Sequence, residues 1–257
     1  MYATHYLESI ILNVFRGTTA TGFTSLTAGL FTTSPTNTGT AGTEISYTGY
    51  ARQPITFVDF MTSTYNPGTQ NSAQIKWPMS SIAAGTVRFI GVYSGANMIL
   101  YGELTTPLSV LAGQAPTAAA YDIRYYITGT FGHVFKQSIM SLFRGVSISG
   151  FTPYFALFNG NPESGGVELS GGGYARRAVT FGAPAVLVTG GKTTIKNTSS
   201  ITMPTPTASW GYWSYDALME SSTSTNIKAF AQNPVPENIG VNYALMLNVG
   251  DYTISVD

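Results

Sequence analysis

The chain opens with a helical rhythm of apolar positions and then changes to an alternating one. Tyr6, Leu7, Ile10, Ile11, Val14 and Phe15 recur at three-and-four spacing, as do Phe135, Ile139, Leu142 and Phe143, which predicts two short amphipathic helices. Gly17 and Gly145 predict where they stop. After each helix come Thr, Ser, Val, Ile, Tyr and Phe in short runs broken by Gly, Pro and Asn clusters, the pattern of an antiparallel β-sandwich. Expected strands in the first half are Leu26 to Thr33, Glu44 to Phe60, Asn71 to Trp77, Thr86 to Tyr93, Met98 to Glu103 and Tyr121 to Thr128, with equivalents in the second half. Asp251 to Val256 alternates so that Tyr252, Ile254 and Val256 share a face. Gly172-Gly173, between two strand patterns, predicts a hairpin.

The same residues return at half the chain length. His5-Tyr6-Leu7-Glu8-Ser9-Ile10-Ile11-Leu12-Asn13-Val14-Phe15-Arg16-Gly17 aligns without a gap on His133-Val134-Phe135-Lys136-Gln137-Ser138-Ile139-Met140-Ser141-Leu142-Phe143-Arg144-Gly145. Gly22-Phe23-Thr24 recurs as Gly150-Phe151-Thr152, and Ile55-Thr56-Phe57 as Val179-Thr180-Phe181. Self-similarity on this scale points to tandem copies of one unit, and two copies are too few for a solenoid. The expected architecture is mainly β: two tandem antiparallel β-sandwich, jelly-roll-like domains over 1–129 and 130–257, each preceded by a short amphipathic α-helix.

Composition narrows the function. Of 257 residues 44% are hydrophobic, enough to fill a core, and only 9% are charged. Lys and Arg number 12 and so do Asp and Glu, so there is no electrostatic footprint for nucleic acid or an anionic membrane. With no cysteine and two histidines, thiolate metal sites, thiol nucleophiles and disulfides are excluded, and a zinc site is short of ligands. The missing cysteines fit either redox environment. The apolar patch Ile10 to Phe15 has Glu8 beside it and no basic stretch before it, unlike a signal peptide. No apolar run approaches the roughly 20 residues of a membrane span.

Several residues could carry chemistry. In both copies a Glu stands eight residues before an Arg, so a turn between them predicts the structural ion pairs Glu44–Arg52 and Glu168–Arg176. One acid with a permanently charged Arg is a poor catalytic pair, because acid–base work needs a tunable pKa. His5 and His133 occupy helix starts, and Arg16 and Arg144 helix ends, where a cation complements the dipole. The carboxylates are scattered, and no nucleophile elbow, zinc-protease motif or P-loop occurs. The densest aromatic cluster is Trp210-Gly211-Tyr212-Trp213-Ser214-Tyr215. On a strand Trp210 and Tyr212 face one side, Trp213 and Tyr215 the other. One side is expected in the core, and the other is the candidate subunit or ligand contact.

The repeated segments resemble a family of tailed-bacteriophage virion proteins labelled phage tail fibre or minor structural proteins. The resemblance rests on Phe15-Arg16-Gly17, Leu30-Phe31-Thr32-Thr33-Ser34-Pro35, Gly42-Thr43-Glu44-Ile45-Ser46-Tyr47-Thr48-Gly49-Tyr50-Ala51-Arg52-Gln53 and Ile55-Thr56-Phe57. The second copy keeps Val167-Glu168-Leu169-Ser170-Gly171-Gly172-Gly173-Tyr174-Ala175-Arg176 and Ala208-Ser209-Trp210-Gly211. The first departs from the pattern at Tyr47-Thr48, where the family has two glycines. The resemblance implies a non-enzymatic virion structural protein without catalytic, metal or cofactor sites. It implies synthesis in the host cytoplasm and assembly in several copies with other virion proteins, as a homo-oligomer, on the tail, neck or fibres. A capsid-decorating role and a module that binds host-surface glycan are its alternatives.

Overall fold

The computed structural model describes residues 1–63, 66–187 and 191–256. The first copy runs β1 (Tyr2–Ala3), α1 (His5–Val14), β2 (Leu26–Phe31), β3 (Gln53–Pro54), β4 (Phe57–Ser63), β5 (Asn66–Asn71), β6 (Ile75–Lys76), β7 (Gly85–Ser94), β8 (Asn97–Val110), β9 (Thr117–Ala118) and β10 (Arg124–Tyr126). The second runs α2 (His133–Leu142), β11 (Tyr154–Phe158), β12 (Arg177–Ala178), β13 (Ala185–Val186), β14 (Thr193–Lys196), β15 (Ile201–Thr202), β16 (Gly211–Met219), β17 (Ile227–Ile239), β18 (Met246–Leu247) and β19 (Thr253–Val256). The protein is mainly β, built of two tandem β units, each with a helix near its start.

The two copies have matching sheets. A large antiparallel sheet has the order β1-β8-β7-β2-β3 in the first and β12-β11-β16-β17 in the second, read from the opposite end. A small sheet has the order β10-β5-β4 in the first and β13-β14-β19 in the second. A short ladder pairs β6 with β9 and β15 with β18. Even the strand before α1, which pairs Tyr2 and Ala3 with β8, has a counterpart in the single bridge from Phe131 to Ala229.

Both helices form where the apolar rhythm places them, and both end on glycines at φ +80 and +82, a conformation cheap only for glycine. Neither has a side-chain cap of its own. The Asn37 carbonyl accepts the His5 N–H at 2.8 Å, and the Glu163 carboxylate accepts the His133 N–H at 2.5 Å, so a distant loop supplies each missing partner. Some strands differ from expectation. Glu44 to Phe60 is interrupted, with a single bridge at Glu44 and pairing that resumes at Gln53. Met98 to Glu103 extends as far as Val110. Thr253–Val256 has the expected alternation, with Ile254 and Val256 buried.

The arrangement of the copies is not visible in the sequence. Each helix lies between the long strand of its own large sheet and the small sheet of the other copy: α1 packs on β8, β14 and β19, and α2 on β17 and β5. One continuous apolar core results, and Phe15, Phe131, Phe135, Phe143 and Phe151 from both copies meet in it. Phe15 stands 5.1 Å from both Phe135 and Phe151, and Phe23 stands 5.7 Å from Phe143. These edge-to-face contacts add to the area buried.

The segments after the helices cross each other reciprocally. Ala20 and Ile148 exchange backbone hydrogen bonds at 2.9 and 2.8 Å. Phe23 N–H donates to the Leu142 carbonyl at 2.8 Å, and Phe151 N–H to that of Val14 at 3.1 Å. A Cβ on Gly22 would lie 2.1 Å from the carbonyl carbon of Gly145, and one on Gly150 would lie 2.1 Å from that of Gly17. Backbone stands in the way, so a side chain at either glycine must push the copies apart. Gly22→Ala and Gly150→Ala are each expected to lower stability by about 2–3 kcal/mol in chemical denaturation. Gly240→Ala, which meets no atom within 4 Å, should stay within about 0.5 kcal/mol of the parent.

Candidate functional site

The most developed polar cluster is present in both copies. Glu44 and Arg52 approach to 2.8 Å and Glu168 and Arg176 to 2.6 Å, with a second guanidinium nitrogen bonded in each. The hairpin expected at Gly172-Gly173 is not the cause. Glu168 bridges Phe158, and Arg177 pairs with Phe155 on that same strand β11. The chain thus leaves the edge of β11 as a loop and rejoins it, and the closure brings the eight-residue spacing together. Three successive left-handed glycines, 171 to 173, make the excursion.

A tyrosine completes each cluster. The Tyr50 hydroxyl accepts the Leu30 N–H at 2.9 Å and donates to Glu44 at 2.9 Å. Tyr174 does the same between Leu157 and Glu168, both at 3.0 Å. Burial pushes both phenols well above their ordinary range. The hydrogen bonds to Glu raise the two arginines above theirs. Arg52 also lies 3.4 Å over the Tyr93 ring, whose hydroxyl burial pushes up to about 12. Arg176 instead donates to the Ser221 and Ser224 carbonyls at 3.0 and 2.6 Å. Glu is held by Arg and Tyr in each copy, and Tyr is held in turn by the neighbouring strand, which makes each cluster a clamp of loop to sheet. Sequence patterning alone does not single out Tyr50 and Tyr174, although the repeated Tyr-Ala-Arg spacing carries the signal.

The aromatic cluster divides differently from a regular strand. Trp210 and Trp213 are both buried, Tyr212 is 49% exposed and Tyr215 is half-buried. Gly211 at φ +102 and a bulge between Trp213 and Tyr215 break the period of two, which corrects the expectation that Trp210 and Tyr212 share a face opposite Trp213 and Tyr215. Trp210 donates to the Gly172 carbonyl at 3.2 Å and stacks edge-on with Tyr174, tying this strand to the clamp. Of the four aromatic rings, that of Tyr212 is the most exposed.

Of the remaining candidates, His5, Arg16 and Arg144 reach the other copy, and His133 stays within its own. His5 Nδ1 lies 2.9 Å from the buried Glu8, which accepts a 2.5 Å hydrogen bond from Thr193 of the other copy. His133 Nδ1 lies 3.0 Å from Glu163. Arg16 reaches the Phe181 carbonyl at 3.4 Å and Arg144 reaches Asp59 at 2.7 Å, so both helix-end arginines cross to the other copy. Among the described residues no group of three or more His, Cys, Asp or Glu comes together to hold a metal ion. No described helix is long and apolar enough to cross a membrane.

One buried acid stands apart. In register, Asp216 opposes Leu157 where Ile90 opposes Leu30, and Tyr252 donates its N–H to Asn197 where Ile123 donates to Asn71. The positions of Ile90 and Ile123 in the first copy are thus held by Asp216 and Tyr252 in the second, where the Tyr252 hydroxyl bonds the carboxylate. Burial pushes the Asp216 carboxyl up to about 6 despite the Tyr252 hydrogen bond, and its Oδ2 has no partner among the described residues. Because the folded value exceeds the unfolded one, the carboxyl's stabilising contribution is complete below about pH 4 and is lost as pH rises through 6. Asp216→Asn should therefore gain on the parent by on the order of 3 kcal/mol between pH 4 and pH 8 in urea denaturation. Tyr174→Phe strands the Leu157 N–H and should cost about 1–3 kcal/mol, whereas Tyr212→Phe should be neutral.

Comparison with known proteins agrees with the repeat. No curated protein matches the chain. A family model described as podophage GP4 fiber I protein gp80 matches twice, over residues 2–125 and 133–255, and so spans each copy from its first strand to its last. The chain belongs to that family of phage fibre proteins.

Proposed function

We propose that the protein is a non-enzymatic structural component of the phage particle, made in the host cytoplasm and present in multiple copies on the tail, neck or fibre region. Its repeated units, 1–129 and 130–257, serve as two joined building blocks that contact other virion proteins and further copies of the chain. The observation that carries this reading is the reciprocal crossing at Ala20 and Ile148, which fuses two copies of a fibre unit into one stiff body. The polar chemistry fits a mechanical part. The recurrent carboxylates Glu44 and Glu168 are held by Arg52 and Arg176, and Asp216 is sealed in the core.

Surface composition supports protein contacts. Met79, Ile82 and Leu111 are each more than half exposed, on two loops joined by the Ser80-to-Gln114 and Gly113-to-Ser80 hydrogen bonds. They expose apolar surface on the first copy, and Tyr212 and Val241 do so on the second. Patches of this kind gain from assembly, and closed symmetric rings are the common solution.

Quantitative mass spectrometry of purified particles tests this reading, with copy number measured against the major capsid protein. Roughly a dozen copies, as a single closed ring would give, supports the tail, neck or fibre position. Hundreds would move the protein to the capsid surface as a cement, and its absence from particles would overturn the structural role.

A further inference from the structure

Two grooves related by the repeat flank the crossing segments. The first, about 350 Å³, lies between α1, residues 18–24 and the end of β7. The second, about 280 Å³, lies between α2, residues 146–149 and the turn after β16. Their linings differ. In the first, Tyr6, Ile10 and Asn13 form one wall from a single face of α1, and Thr18, Thr21 and Thr24 come from the facing loop. In the second, Ser138 and Ser141 hold the helix positions of Ile10 and Asn13, no aromatic ring lines the wall, and an ion pair, Lys228 to Glu220 at 2.9 Å, stands at the edge.

The first groove's chemistry selects a ligand class. No charged side chain lines it, so an ion would lose water without gaining a counter-charge. Tyr6 is 43% exposed and presents a ring beside the apolar Ile10. The Thr18, Thr21, Thr24 and Ser94 hydroxyls make no hydrogen bond with any described residue. Asn13 Oδ1 is taken by Arg16 at 2.5 Å, which leaves the amide donors for a ligand. A purely apolar guest would strip water from these hydroxyls and return nothing. A guest with one apolar face and a rim of neutral donors and acceptors would satisfy ring and rim together.

We propose that this groove of the first copy is a binding site for one pyranose unit of a neutral saccharide, seated against Tyr6 and ringed by Asn13 and the threonine hydroxyls. The groove is distinct from the Trp210 to Tyr215 cluster, and the proposal stands independently of where on the particle the protein sits.

Saturation-transfer NMR on the full chain tests it, with methyl glycosides of glucose, galactose, mannose and N-acetylglucosamine, and N-acetylneuraminic acid as a charged comparison. At least one neutral glycoside should bind at roughly millimolar strength, and Tyr6→Ala should weaken it about tenfold or more. Thr24→Val, which keeps the shape and removes one hydroxyl, should weaken it several-fold, and Tyr212→Ala should leave it unchanged. Failure of all four glycosides to bind would overturn the proposal. So would equal or tighter binding of the charged sugar, or unaltered binding by both Tyr6→Ala and Thr24→Val.

Discussion

The fold depends on a close crossing of backbones. Gly17 to Gly22 and Gly145 to Gly150 pass each other with no room for a Cβ at Gly22 or Gly150, and the Ala20–Ile148 bridge closes the contact. Because the crossing comes directly after each helix, it fixes where the helices go, and each is carried onto the small sheet of the opposite copy. The apolar faces of α1 and α2 are therefore buried by two layers of different parentage. Neither unit completes its core alone. Phe15, at the end of α1, meets Phe135 of α2, and Phe143, at the end of α2, meets Phe57 of β4.

Duplication inside one chain releases the copies from being identical. Glu8 and Lys136 hold the same helix position, both buried, one bonded to Thr193 and the other reaching Asn66 at 3.5 Å, each on the opposite copy. Ile90 and Ile123 correspond to Asp216 and Tyr252, and Tyr6 corresponds to Val134. The clamps show the opposite tendency. Glu, Tyr and Arg keep their mutual geometry in both copies while the surroundings of Arg52 and Arg176 differ. Loop anchoring tolerates little change because three groups satisfy each other at once. Peripheral surfaces are free to diverge.

Much of this architecture is legible in the sequence. The gapless helical repeat, the glycine stops and the β pattern all arise from local residue chemistry, and both helices stand where the periodicity places them, while strand bounds shift with pairing. The Glu-to-Arg spacing is equally visible, yet the loop that closes it depends on both ends pairing with a single strand, a tertiary fact. The burial of Trp213 beside exposed Tyr212 hinges on one left-handed glycine and one bulge, which alternation alone does not encode. The exchange of helices is hidden most completely. Its only local trace is a pair of repeated glycines, Gly22 and Gly150, whose reason lies in the other copy's backbone.

If the crossing makes one body of two copies, their cores must unfold together. Hydrogen exchange read by mass spectrometry across a denaturant series can track residues 26–31 and 87–92 of the first copy beside 154–158 and 215–219 of the second. The four segments are predicted to converge on one opening free energy and one denaturant dependence, as a single cooperative unit requires. Two separated transitions, one for each copy, would contradict the account.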